Sequence, residues 1–74
     1  MFQLRVNEVR QAKKMSMGLL SRKANVPLSV MQRLCNDTNY IPSVLTLIKV
    51  ARYLKVPLEA LFIYEEDEEN TDVE

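Results

Sequence analysis

The sequence contains no histidine and only one cysteine, Cys35. The usual ligand sets of zinc and haem sites are therefore missing, and no cofactor is expected. A serine–histidine or cysteine–histidine nucleophile cannot be assembled within one chain either, so an enzyme is not expected. A single cysteine cannot close an intramolecular disulfide, which fits a reducing compartment such as the cytoplasm.

Long apolar runs are also missing. The most apolar stretch, residues 44–50, is interrupted by Thr46 and Lys49, far short of the roughly 20 apolar residues that a membrane span needs. Residues 2–7 alternate apolar and polar side chains, which is unlike a signal peptide. We therefore expect a cytosolic protein with no membrane partner, and no small-molecule ligand is predicted.

Ten basic and ten acidic side chains balance, but the two kinds are separated along the chain. Residues 1–64 carry all ten bases and three acids, a net charge of +7, whereas residues 65–74 carry seven acids and no base. The acidic segment repels itself and cannot bury a core, so residues 65–74 are predicted to be a disordered tail. Residues 1–64 have the size of one domain.

One glycine and three prolines interrupt this domain only sparsely, so it is predicted to be compact and mostly helical. The apolar spacing predicts five helices: Leu4–Lys14, one that starts after Ser16 as its N-cap, residues 28–36, one that opens at Pro42-Ser43, and Leu58–Phe62. Arg5, Arg10, Lys13 and Lys14 are expected to point outward from the first helix. Expected buried residues are Leu34 with Val30 or Met31 on the third helix, and Leu47, Ile48, Ala51 and Leu54 on the fourth.

Two short helices joined by a tight turn at Asn25 lie within this pattern. The segment LLSRKANVPLSVMQRL closely resembles the helix-turn-helix of the phage repressor/Cro-type (XRE) family of bacterial regulators. The segment PSVLTLIKVARYLKVPLEALF is similar to the fourth and fifth helices of that family, and the resemblance extends over Leu4–Phe62. It implies an all-α, five-helix, phage-repressor-like domain that binds double-stranded DNA and regulates transcription, as a repressor, in a bacterium or phage.

In such a domain the second helix of the pair enters the major groove. The outward positions of residues 28–36, predicted to reach base edges, are Leu28, Ser29, Gln32, Arg33 and Asn36. Arg33 can bond guanine through O6 and N7, and Gln32 can bond adenine through N6 and N7. The alternative is that all five are ordinary solvated side chains.

Phosphate contacts are predicted beside this face, where helix N-termini and basic side chains would flank the groove. The residues assigned to them are Lys14, Ser16, Met17, Arg22, Lys23, Asn39, Tyr40 and Ser43. Met17 stands where family members often have glutamine, which leaves its backbone amide to serve. Each basic side chain could instead be merely solubilising.

Other positions also depart from the family pattern. Ser21 replaces the usual alanine, so its hydroxyl is expected to bond a carbonyl one turn back. Asn25 replaces glycine and can adopt the same positive φ. Pro27 replaces an N-capping serine, so that cap is lost or replaced. Cys35 replaces glutamate and is predicted to be an apolar filler, with a redox switch as the alternative.

Leu61, Phe62, Ile63 and Tyr64 form an apolar run too long for so small a body to bury completely. The resemblance implies a homodimer through the fifth helix, and these four residues are the predicted interface. The competing interpretation is that they pack onto the first helix and Phe2.

Two further alternatives stay open. The chain could be a protein-interaction module, antitoxin-like or a phage accessory protein, with weak or no specific DNA binding. The acidic tail is predicted to aid solubility and to suppress non-specific binding, and the alternative is that it mimics DNA on the basic surface of its own body.

Overall fold

The computed structural model describes residues 1–65, so the predicted tail beyond Glu65 lies outside the described residues. The elements are strand β1 (Phe2–Leu4), helices α1 (Val6–Ala12), α2 (Met17–Ala24), α3 (Leu28–Asn36) and α4 (Val44–Leu54), a 3-10 helix (Leu58–Leu61) and strand β2 (Phe62–Tyr64). The all-α class with a helix-turn-helix is confirmed, but residues 1–65 contain four α-helices rather than five. No helix among them has the length and apolar character needed to cross a bilayer.

A small sheet, which the sequence did not predict, joins the N-terminal residues to the segment that follows the 3-10 helix. β1 pairs antiparallel with β2, with Phe2 opposite Tyr64 and Leu4 opposite Phe62. The Phe2 and Phe62 rings stack with centroids 5.5 Å apart, a spacing at which aromatic pairs attract each other. The predicted first helix therefore starts at Val6 rather than Leu4, and the predicted fifth helix is a single 3-10 turn that ends before Phe62.

The core lies where α2, α3, α4 and the 3-10 helix meet, and Val6, Leu20, Met31, Val50 and Leu61 are completely buried there. Burying a side chain of this size stabilises a fold by roughly 1.5–3 kcal/mol before entropy is counted. On α3, Met31 and Leu34 are buried, whereas Val30 is only partly so.

The predicted apolar face of α4 was partly wrong. Leu47, Ala51 and Leu54 are buried as expected, but Ile48 is 42% exposed and Val50 is fully buried instead. The spacing of 47, 50, 51 and 54 follows i, i+3, i+4 and i+7, which is one face of a helix. Residue 48 lies about 100° away from residue 47 and so points away from that face.

Arg10 does not point outward, contrary to the prediction. Its guanidinium donates to Asn7 Oδ1 on α1 and, at 2.9 Å, to the carbonyl of Met15. Lys14, within the same turn, has a positive φ of 59°. Arg10 therefore satisfies a carbonyl of the turn between α1 and α2 and helps to hold α2 in place.

Candidate nucleic-acid interface

Both ends of α2 are defined by local chemistry. Ser16 is the N-cap, and its hydroxyl oxygen accepts a hydrogen bond from the Leu19 amide at 3.1 Å. Asn25 ends α2 in the left-handed conformation, with φ 58° and ψ 47°. Both predictions are confirmed, and the turn at Asn25 brings α3 across α2 after only three residues.

Ser21 fixes the angle between the two helices in a way that the sequence did not predict. Its buried hydroxyl donates to the carbonyl of Val26 at 2.5 Å, five residues ahead, and not to a carbonyl one turn back. The left-handed turn at Asn25 is what allows the chain to fold back, so that Val26 presents its carbonyl to α2. Ser21 therefore links α2 directly to the segment that enters α3.

The N-terminus of α3 is open. Pro27 occupies the N-cap position with φ −55°, and no side chain caps the helix there, which confirms the expected loss of a capping serine. The first amides of a helix lack partners inside the helix, and their partial positive charge attracts anions. These amides lie beside the exposed side chains of Leu28 and Ser29.

The structure brings the five predicted base-edge residues to one exposed face of α3. All of them are exposed, whereas Met31, Leu34 and Cys35 are buried on the opposite face. These five residues form the α3 face: Leu28, Ser29, Gln32, Arg33 and Asn36. It presents a guanidinium, two amides, a hydroxyl and one aliphatic side chain, which together can donate to, accept from and contact base edges.

A contact between two of the predicted residues was not foreseen. The guanidinium carbon of Arg33 lies 5.3 Å from the centroid of the Tyr40 ring. Tyr40 follows a tight turn in which Asp37 Oδ1 accepts from the Asn39 amide at 3.1 Å and the Asp37 carbonyl accepts from the Tyr40 amide at 3.0 Å. Arg33, Asn39 and Tyr40 therefore form one unit at the end of α3.

The predicted phosphate-binding side chains differ in their surroundings. Lys14, Arg22 and Lys23 are exposed, and the one ion pair among residues 1–65 joins Arg5 to Glu8 instead. The basic side chains near α2 are therefore not neutralised by an acidic partner within the described chain.

The two serines among the candidates already cap helices. Ser16 caps α2, and Ser43 caps α4 by accepting from the Thr46 amide at 3.1 Å. Met17 is partly buried against the core, so its side chain is committed to packing. The O–H of Ser16 can still donate to a phosphate, whereas that of Ser43 already donates to Thr46 Oγ1. At Met17 only the backbone amide could bind a phosphate, as the sequence suggested.

Cys35 is buried, with 5% of its surface exposed, beneath the α3 face. Burial raises the pKa of its thiol, and the nearby Arg10 guanidinium only partly opposes this rise. A buried thiol with a raised pKa carries little thiolate at neutral pH and reacts slowly. The structure therefore agrees with the prediction of an apolar filler.

The four residues predicted to form a dimer interface separate into two kinds. Leu61 lies in the core with no exposure, and Phe62 is half-buried against Phe2. The competing interpretation, packing onto Phe2, therefore holds for Phe62, and the assignment of Leu61 to an interface was wrong. Ile63 and Tyr64 remain exposed, at 37% and 57%.

A second exposed apolar surface was missed by the sequence analysis. Ile41, Val44, Leu45 and Ile48 are 74%, 64%, 61% and 42% exposed, and they are called the α4 apolar patch. No charged residue occurs from position 41 to position 48. The sequence signal for this patch is that positions 41–48 hold more aliphatic residues than one helix face can bury.

Known proteins resemble this chain in sequence and in fold. Residues 6–61 match the family model described as helix-turn-helix. The structure is similar to that of a candidate DNA-binding protein from Bacteroides fragilis, with 25% sequence identity, a TM-score of 0.75, and coverage of 85% of this chain and 100% of that one. It is also similar to a chain of the SinR protein/SinI protein complex, with 28% identity, a TM-score of 0.70 and coverage of 93% of this chain and 65% of that one. The chain thus spans just under two thirds of that second protein, and no curated protein matches its sequence.

Proposed function

Because the chain belongs to the XRE-type helix-turn-helix family of DNA-binding regulators, we propose that it represses transcription by binding a specific duplex sequence through α3. The DNA duplex that it binds would lie in the cytoplasm of a bacterium. Phosphate contacts from Lys14, Arg22, Lys23 and the helix N-termini would supply most of the affinity, and base contacts from the α3 face would supply the preference.

One observation carries this proposal. The α3 face exposes five side chains whose groups match base edges, while the opposite side of the same helix is packed against the core through Met31 and Leu34. A helix held rigidly from behind presents its outer side chains in a fixed arrangement. That arrangement is what recognition of a base sequence in the major groove requires.

The test is selection of bound duplexes from a random pool, followed by fluorescence anisotropy on the selected duplex at two salt concentrations. We expect convergence on a palindrome with half-sites about 10 bp apart. Arg33→Ala should cost about 1–3 kcal/mol and relax one base position, whereas the control Lys23→Ala should weaken all sequences alike.

Failure to converge, with an affinity that salt abolishes, would contradict the proposal. That result would favour the alternative of a protein-interaction module, antitoxin-like or a phage accessory protein. Equal loss of preference from both variants would contradict the assignment of Arg33 alone.

We further propose that the protein acts as a homodimer, since a palindrome is read by two copies of one domain. Two exposed apolar surfaces could pack against a second copy: Ile63 with Tyr64, and the α4 apolar patch. The α4 apolar patch is the larger, and its four aliphatic side chains could pack against the same four of a second copy. A protein that sediments as a monomer far above the DNA-binding concentration would contradict dimerisation.

A further inference from the structure

We infer that Tyr40 is a positioning residue that sets the base preference of Arg33 by supporting its guanidinium. The inference rests on the proposed function, and it gives Tyr40 a role different from the phosphate contact that the sequence suggested. The contact that points to it is the 5.3 Å approach of the guanidinium carbon of Arg33 to the centroid of the Tyr40 ring. A guanidinium within about 6 Å of a ring centroid is attracted to the ring face.

Tyr40 is anchored at two points. Its ring is partly buried against the core cluster, and its backbone amide donates to the carbonyl of Asp37 at 3.0 Å. The side chain of Asp37 also holds the turn closed through the amide of Asn39. Arg33, by contrast, is exposed on the last turn of α3, so the ring is the fixed partner and the guanidinium is the group that becomes ordered.

This mode of support leaves the donors of Arg33 free. Within residues 1–65 its guanidinium makes neither a hydrogen bond nor an ion pair. Asp37, the acid four residues further along, instead accepts from the Asn39 amide. The contact with the ring does not pair the guanidinium with a hydrogen-bond acceptor, so its N–H donors remain available for the O6 and N7 atoms of guanine.

The energetic consequence falls on specificity. A free arginine loses side-chain entropy when it is fixed, and preorganisation removes part of that loss before binding. A bidentate bond to guanine requires one orientation, whereas attraction to phosphates tolerates many. Loss of the ring should therefore reduce discrimination between base pairs more than it reduces general affinity.

The experiment compares Tyr40→Leu with Tyr40→Phe in the full chain, using the selected duplex and a duplex changed only at the base pair that Arg33→Ala relaxes. Tyr40→Phe keeps the ring and should keep the wild-type discrimination. Tyr40→Leu keeps apolar packing but removes the ring, and it should lower discrimination about two- to five-fold. In an Arg33→Ala background, Tyr40→Leu should change discrimination no further.

Thermal unfolding of both Tyr40 variants separates positioning from stability, because a merely structural role would lower the Tm without a change at one base pair. Discrimination left intact by Tyr40→Leu would overturn the inference and leave the proposed function standing. An equal loss of affinity in Tyr40→Phe and Tyr40→Leu for every duplex would also overturn it, in favour of a phosphate contact by the hydroxyl. A wild-type protein with no sequence preference would overturn both proposals.

Discussion

The α3 face and the α4 apolar patch are both exposed, yet their chemistry is opposite. The α3 face carries one guanidinium, two amides and a hydroxyl, all groups that water solvates well. The α4 apolar patch carries four aliphatic side chains and no charge between positions 41 and 48. Exposure alone therefore does not identify an interface. The polar face suits a hydrogen-bonding partner such as DNA, and the aliphatic patch suits another apolar surface.

The largest effect should come from removing a core side chain beneath the α3 face. Leu34 is 1% exposed beneath the α3 face, and Leu34→Ala should lower the free energy of unfolding by about 2–5 kcal/mol, because it leaves a cavity. Urea denaturation of the monomer measures this change. The matched control Leu45→Ala, at a 61% exposed position of the α4 apolar patch, should stay within about 0.5 kcal/mol of wild type. Equal losses would mean that the patch is packed in the monomer.

The next effect would separate the two surfaces. A buried isoleucine contributes about 1.5–3 kcal/mol, so Ile48→Glu should weaken self-association at least ten-fold while the base preference of the protein stays the same. Sedimentation equilibrium gives the association constant, and duplex selection gives the preference. Ile63→Glu is the matched variant for the surface on β2. If only that variant dissociates the dimer, the α4 apolar patch is not the interface.

A smaller effect would compare how α2 and α4 end. Asn25 ends α2 and Lys55 ends α4, both with positive φ, 58° and 60°. Asparagine tolerates this conformation far better than lysine does, for which it costs roughly 1–2 kcal/mol. Lys55→Gly should therefore stabilise the protein by up to about 1 kcal/mol after the entropy of glycine is subtracted, and Asn25→Gly should change stability by less. Chemical denaturation of both variants checks the order, and the reverse order would refute the strain at Lys55.

The smallest effect concerns Cys35, which lies beneath only one of the surfaces. Burial raises the pKa of the folded thiol, whereas the unfolded thiol titrates near its ordinary pKa of about 8.5. Above that pH the unfolded thiol loses its proton while the folded thiol keeps it, so the free energy of unfolding should fall as the pH rises from about 8.5 to about 9.5. Cys35→Ala should show a smaller fall across the same interval. Identical pH dependence in both proteins would mean that the thiol pKa is not raised.

The helix-turn-helix could be predicted because its signals are local. Ser16 and Asn25 act within one turn of their own positions, and the α3 face follows from the 3.6-residue period. The apolar face of α4 could not be fixed in the same way, because residues 47, 48, 50 and 51 are all apolar and the period alone cannot choose among them. Only packing against α2 and the 3-10 helix selects Val50 over Ile48.

The contacts that were missed depend on distant partners. β1 and β2 have three residues each and lie about sixty positions apart, so neither strand has a strong signal of its own. The alternation at residues 2–7 was visible, but its partner was predicted to be helical. The bond from Ser21 to Val26 and the cation–π contact of Arg33 with Tyr40 also need the folded backbone to bring their atoms together.

The short sheet has a mechanical consequence. Met1 and Glu65 lie side by side at its open end, and the backbone nitrogen of each donates a hydrogen bond to the carbonyl of the other. Hydrogen bonds in an antiparallel pair run across the strands, so a force applied between these two residues would pull along the bonds and break them one pair at a time. The hydrogen bonds between the strands would break in order, from Met1 and Glu65 towards Arg5 and Leu61, before tension reached any α-helix.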